Sequence, residues 1–392
     1  MSFSYRTKKI IFWLTQVWLF RQMANNKWPF NRMVELEEID KFASVSAYHP
    51  KFTREPVNSA IRPIHVDRPE VTTFCQQFDE SPFPEFPEIG VIELQDTLVH
   101  LPTCVHRFEG VILRNGILDD RLFTHIKYLT VFLSLTWRSP RKAGTAVLLG
   151  LPYIKNYFHW LVEILPRIQL VENDPAYDGV PWILPAQVPR YVREIISAAG
   201  YDDRVEYLAS GTYQFEHLIL PTTMSYGAGP NHPKELAWLR QKFLPQPMPQ
   251  ATRRIWVSRR DAQSRFLLDE DAILQRLASL GFELVCPGEL DFAAKVKVFS
   301  EAQMIVGPHG ASLTHVVFAP DNAGLVEIFP QDYFSNGFSQ IAKLRDWPYG
   351  VVVGTSKGRG IQVDIDEVEA TVKQTLALVE ARSSQIELSN LG

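Results

Sequence analysis

Three groups of residues in this chain have the types and spacings that chemistry uses. The first is Gly307-Pro308-His309-Gly310-Ala311-Ser312, where an apolar run from Met304 to Val306 breaks and a helical pattern restarts through Leu313 and Phe318. The first amides of a helix beginning there have no partner within it, and its dipole adds partial positive charge. Gly310, Ala311 and Ser312 are small, so a bulky anion can approach the backbone, with His309 beside the opening. A plain strand-to-helix turn is the structural alternative.

The second group begins at Asn156, which opens a helical stretch to Val171. His159, Glu163 and Arg167 recur there at i, i+4 and i+8, on one face of an α-helix. Leu161, Ile164, Leu165 and Ile168 form the opposite, core-facing stripe. A histidine and a carboxylate one turn apart can serve as base and orienter, because each tunes the other. An ordinary surface charge pair has the same spacing.

The third group is Ser258-Arg259-Arg260-Asp261 with Arg265 close behind, after the first strand of the second half. Ligands in open α/β sheets bind at that edge, and arginine forks match phosphate oxygens. A solvated charged turn is the alternative. Glu327 sits in the otherwise apolar run Leu325 to Phe329. A buried acid needs a partner, either a ribose or sugar hydroxyl or a nearby arginine.

These groups need elements to hold them. Strand and helix patterns alternate from Thr145 onward, with helices of about ten residues, which requires parallel pairing and right-handed crossovers. The fold class expected is α/β, with a Rossmann-like second half. No GxGxxG follows its first strand, so the dinucleotide fingerprint is absent. Residues 34–88 are rich in proline and charge and read as irregular connection, and residues 89–135 carry short β-like runs. Three prolines in Leu244 to Gln250 mark a linker. The expected division is therefore 1–33, 34–244, a linker at 245–252, and 253–392.

With 392 residues, 46% of them hydrophobic, the chain suits two domains with ordinary cores. A net charge of −4 argues against a general nucleic-acid binder. Cys75, Cys104 and Cys286 show neither metal nor disulfide spacing, which points to a reducing compartment and a cytoplasmic location. Residues 1–33 contain basic residues and no acid, around the aromatic-rich run Ile10 to Phe20, which is too short to span a bilayer. A basic amphipathic helix over 5–32, lying on the anionic inner face of a membrane, fits this pattern. A helix docked on the protein's own surface is the alternative.

Taken together, NYFHWLVEILPR (156–167), WVSRRDAQSR (256–265) and EAQMIVGPHGASLTHVVFAP (301–320) followed by LVEIFP resemble the family 61 glycosyltransferases. That family includes bacterial capsular-polysaccharide biosynthesis proteins and eukaryotic O-linked GlcNAc and xylan-decorating enzymes. Ser312 stands where many members have glycine. The resemblance implies a GT-B-like pair of Rossmann-like domains, with a nucleotide-sugar donor on the C-terminal one and a glycan or lipid-linked acceptor on the other. It implies inverting transfer with neither metal nor cofactor. The base would be His159 or Glu163, between which the sequence does not choose. Asn156, Arg167, Arg259, Arg265, Gly307, His309, Gly310, Ala311, Ser312 and Glu327 would bind substrate. A nucleotide-sugar epimerase and a non-catalytic sugar- or membrane-binding scaffold are the competing classes.

Overall fold

A computed structural model describes residues 32–35, 45–52, 63–80, 89–108, 111–114, 139–151, 153–222 and 232–389. The basic segment 5–32, but for Arg32, and the part of the β-like stretch 89–135 after residue 114 lie outside the described residues. The protein is of mixed α/β class, with two sheets rich in parallel pairs. Among the described residues no helix is long and apolar enough to cross a membrane. The chain forms two compact units, residues 1–54 with 87–227 and residues 55–86 with 228–392.

The first unit is built on one sheet. Its strands are β1 (Arg32–Glu35), β2 (Val45–Phe52), β3 (Ile89–Leu101), β4 (Val105–Phe108), β5 (Val111–Arg114), β6 (Arg141–Leu148), β7 (Trp182–Pro185), β8 (Val205–Leu208) and β9 (Gly211–Pro221). They are ordered β1-β5-β4-β3-β9-β6-β7-β8, with β2 paired on β3. Strands β9, β6, β7 and β8 are mutually parallel, and β3 adds antiparallel to β9. The chain runs from β6 to β7 to β8 on one side and returns to β9 on the other. The order therefore reverses between β6 and β9. Ile92, Leu94, Leu148, Ile183, Phe215 and Leu218 pack the core of this unit.

The second unit carries β10 (Arg253–Val257), β11 (Phe266–Leu267), β12 (Phe282–Val285), β13 (Ala302–Pro308), β14 (Gly324–Pro330), β15 (Tyr349–Lys357) and β16 (Gly360–Gln362). The order is β11-β16-β15-β14-β13-β10-β12, parallel from β15 to β12. Strands β13 and β14 are buried along almost their whole length, as expected of strands covered on both faces. The order reverses between β10 and β13, so the segments leaving those two strands part there.

Two boundaries differ from the sequence expectation. The helix Pro233–Phe243 belongs to the second unit, so the units divide at 227/228 and not at 245–252. Phe243 packs edge-on against Phe292 at 4.9 Å, and Arg240 donates to the carbonyls of Val317 and Ala319. Part of the supposedly irregular 34–88 segment is ordered too. Ile64 bridges to Gly350 beside β15, and the helix Pro69–Glu80 sets Phe74 and Phe78 against Phe329 and Phe334. Flanking prolines hid this helix from a reading by punctuation alone.

Candidate active site

In the first unit the chain leaves β6 and enters an unusual helix. Asn156 Oδ1 accepts from the amides of Phe158 (3.0 Å) and His159 (3.4 Å), which starts it. A π-helical turn then covers His159–Ile164, and a 3-10 stretch covers Leu165–Leu170. Pro166 has no N–H to continue an α-ladder, and the Leu165 amide reaches back to the Trp160 carbonyl. Single π turns inside helices concentrate at functional sites.

His159 Nδ1 and Glu163 Oε2 are 2.7 Å apart. Glu163 is buried, at 6% exposure, and its Oε1 has no hydrogen-bond partner among the described residues. Tyr153 packs on the imidazole at 5.2 Å. Burial pulls His159 down, but the hydrogen bond and charge of Glu163 outweigh it and hold the ring above its usual range. Burial raises Glu163, and His159 offsets only part of that. With Nδ1 engaged by Glu163, Nε2 is the nitrogen left to accept a proton, and it makes no hydrogen bond among the described residues.

Arg167 is not on that face. The π and 3-10 turns rotate it inward, and it is fully buried. It donates to the carbonyls of Leu149 (2.7 Å), Leu148 (3.4 Å) and Pro221. Those carbonyls end β6 and β9, so Arg167 clamps the edge where the strand order reverses. Burial pulls its guanidinium down to about 9. Arg167, expected among the substrate-binding residues, thus holds strand-end carbonyls, and Asn156, expected there too, caps the helix.

In the second unit the segments leaving β10 and β13 meet. Arg259, 7% exposed, lies so close to Gly310 that a β-carbon on the glycine would collide with its guanidinium. Gly310 also has a φ of +156°, which other residues rarely adopt. Arg259 Nη2 donates to the Ser264 carbonyl at 3.3 Å, and its Nε is buried without a partner. Burial, with the Arg265 charge beside it, pulls Arg259 down to about 10, while Asp261 acts in the opposite sense. Arg265 sits at a left-handed φ of +58°, leaves Nη1 unpartnered and lies over the Tyr333 ring at 4.5 Å. Neither arginine forms an ion pair among the described residues. Arg260 differs, being bound to Glu270 (2.7 Å) and Asp271 (2.9 Å).

The turn after β13 keeps the shape expected, but the helix is of 3-10 type over Ala311–Phe318 with Gly310 as its uncapped start. Ala311 is exposed and Ser312 half-buried. Gly307 has another reason to be glycine, since a β-carbon there would press on the Val257 carbonyl and side chain of β10. Glu327 is fully buried, and its hydrogen-bond partners among the described residues are a histidine and a tyrosine. His309 Nδ1 bonds its Oε1, and the Tyr349 hydroxyl donates to its Oε2 at 2.7 Å. It orients His309, whose ring stacks on Phe329 at 5.0 Å. Sequence reasoning missed Tyr333 and Tyr349. Tyr333 follows the carboxyl end of β14, the position where such sheets take ligands, and that was its one available signal.

The expected residues thus gather as two sets, each at the carboxyl edge of its own sheet where the strand order reverses. His159 and Glu163 form one. Arg259, Arg265, His309, Gly310, Ala311 and Ser312 form the other. Among the described residues no group of three His, Cys, Asp or Glu is disposed to hold a metal ion.

No curated protein matches the chain significantly. Residues 157–326 match the family model described as Glycosyltransferase 61. The matched stretch runs from the π-helical turn through both arginines and the 307–312 turn to the residue before Glu327. Over residues 157–326 this chain is therefore similar to glycosyltransferase family 61.

Proposed function

We propose that the chain is an inverting, metal-independent glycosyltransferase that moves a sugar from a nucleotide-sugar donor to a glycan or lipid-linked glycan, in capsular or other cell-surface polysaccharide synthesis. On this reading its two units are the halves of a GT-B-type pair. The second takes the donor and the first the acceptor. The observation that carries the donor assignment is the buried Arg259 with Arg265 beside it, neither paired to a carboxylate among the described residues, at the uncapped start of the helix at Gly310. Two neighbouring like charges, one of them buried, are costly unless an anion joins them, and a diphosphate is the anion that bidentate arginines and free amides match.

The chemistry is direct displacement. The acceptor oxygen attacks the anomeric carbon as the bond from that carbon to the phosphate oxygen breaks. His159 Nε2 takes the acceptor proton, and Glu163 holds the ring and balances the imidazolium. Arg259, Arg265 and the amides of residues 310–312 stabilise the charge gathering on the diphosphate. Residues 5–32 attach the protein to the anionic cytoplasmic face of a membrane, close to a lipid-linked acceptor.

A panel of nucleotide sugars with and without glycan acceptors tests the activity. One donor should release nucleoside diphosphate, faster with its acceptor and equally in a chelator. Conversion of the donor sugar without release would instead make the protein an epimerase. Binding with neither outcome would make it a scaffold.

A further inference from the structure

The second unit holds a histidine that the displacement above does not use. His309 Nδ1 is bonded to Glu327, and Glu327 is itself sealed, with its other oxygen taken by the Tyr349 hydroxyl. The imidazole is clasped by Phe329, Tyr333 and Phe338 at 5.0, 5.2 and 5.5 Å. Its backbone amide is tied to the Ile328 carbonyl at 2.8 Å. So fixed, the ring has one nitrogen to offer, Nε2, which makes no hydrogen bond among the described residues. Its chain neighbour is Gly310, the residue against which Arg259 lies.

A buried carboxylate with both oxygens engaged does not touch a ligand. It acts on one through the group it holds. A carboxylate on Nδ1–H supports a second proton on the ring, at Nε2. Charged groups surround His309. Glu327 on β14 holds its Nδ1, Arg259 lies against the neighbouring Gly310, and Arg265 lies over the Tyr333 ring that packs on the imidazole. Tyr333 beside the ring, Tyr349 on β15 and Cys75 near Tyr349 are the other titratable groups, and all three are neutral in their ordinary forms. An anion placed between the arginines offsets their charge and brings its own negative charge toward Nε2.

We propose that His309 gains a proton at Nε2 when a diphosphate binds and passes it to the leaving phosphate oxygen, and that Glu327 and Tyr349 are positioning residues for it. The inference rests on the donor assignment above. The step balances. The bond from the anomeric carbon to the phosphate oxygen breaks with its electron pair on that oxygen, which takes the His309 proton. The acceptor O–H proton goes to His159. Each histidine then exchanges one proton with water, and neither unit ends with a changed charge.

The test is calorimetry of UDP, GDP, ADP and CDP binding at pH 8 in two buffers of different ionisation enthalpy. At that pH the nucleotide is almost fully ionised, so its binding to cations releases no proton that would mask uptake by the protein. The account predicts uptake approaching about one proton per nucleotide bound. His159→Gln should keep that uptake. His309→Gln should abolish it, and Glu327→Gln should cut it and weaken binding by about an order of magnitude. Tyr349→Phe, a milder change, should reduce it in part. A Glu327 that merely supported the fold would change affinity or stability and leave uptake per bound nucleotide alone. Binding by the wild type with no uptake overturns the inference and spares the donor site. Binding of none of the four nucleotides at millimolar concentration removes the donor site and the inference with it.

Discussion

Arg259 fills the space that any side chain on Gly310 would need. The two residues leave adjacent parallel strands, β10 and β13, at the point where the strand order reverses. A desolvated guanidinium and an uncapped helix start therefore face one volume. That arrangement makes a glycine at 310 a requirement of the arginine beside it as much as of the backbone.

Replacing Gly310 by leucine should accordingly displace Arg259. Nucleoside diphosphate affinity should fall at least about tenfold, while circular dichroism shows a retained fold with a melting point a few degrees lower. Calorimetry giving wild-type affinity would mean that the phosphates sit elsewhere.

Arg167 leads to the opposite expectation. Among the described residues it donates hydrogen bonds only to carbonyls at the ends of β6 and β9. Arg167→Met leaves three buried acceptors unpaired, at about 1–3 kcal/mol each, so urea unfolding should show a loss of several kcal/mol. The KM values of the protein that still folds should stay close to wild type. A large rise in either KM at unchanged stability would return Arg167 to the substrate.

The His159–Glu163 pair gives a pH dependence. His159 is raised in the folded protein above the ordinary 6.5, through Glu163 acting against burial. Its contribution to stability is then complete below that value and is lost as pH rises through the folded one. The stability difference between wild type and His159→Gln should be larger at pH 6 than at pH 9. Activity runs the other way, because a base must be unprotonated. The acid limb of kcat/KM should lie above 6.5 and move to lower pH in Glu163→Gln. A limb that does not move separates Glu163 from the base.

Co-sedimentation with vesicles containing anionic lipid tests the segment 5–32. Full-length protein should pellet at low salt and be released as salt rises, whereas a chain beginning at Val34 should remain in the supernatant. Equal pelleting of both would remove this role from the segment.

The legible parts of this chain are those governed by local pattern. The strand-turn-helix at 304–318, the arginines after β10 and the alternation that builds the second sheet follow from hydrophobic period and small residues. What escaped depends on neighbours distant in sequence. Glu327 left its partner open between a hydroxyl and an arginine. The answer, His309 and Tyr349, comes from the segments beside it in the sheet, β13 with its following turn and β15. α-Helical spacing puts Arg167 on the face of His159 and Glu163, and the π and 3-10 turns around Pro166 break that spacing. The helix at 69–80 is stabilised by aromatic packing onto Phe329 and Phe334, which no local pattern announces.

The most direct test of the account is the initial rate of nucleoside diphosphate release at saturating donor and acceptor, in wild type, His159→Ala and Glu163→Gln. A positioned base contributes about 10²–10⁴ in rate. Each single variant should lose turnover on that scale with donor affinity nearly unchanged, and the double variant should be little worse than the poorer single. Turnover near the wild-type rate in both single variants would contradict the account and take the π-helical turn out of the active site.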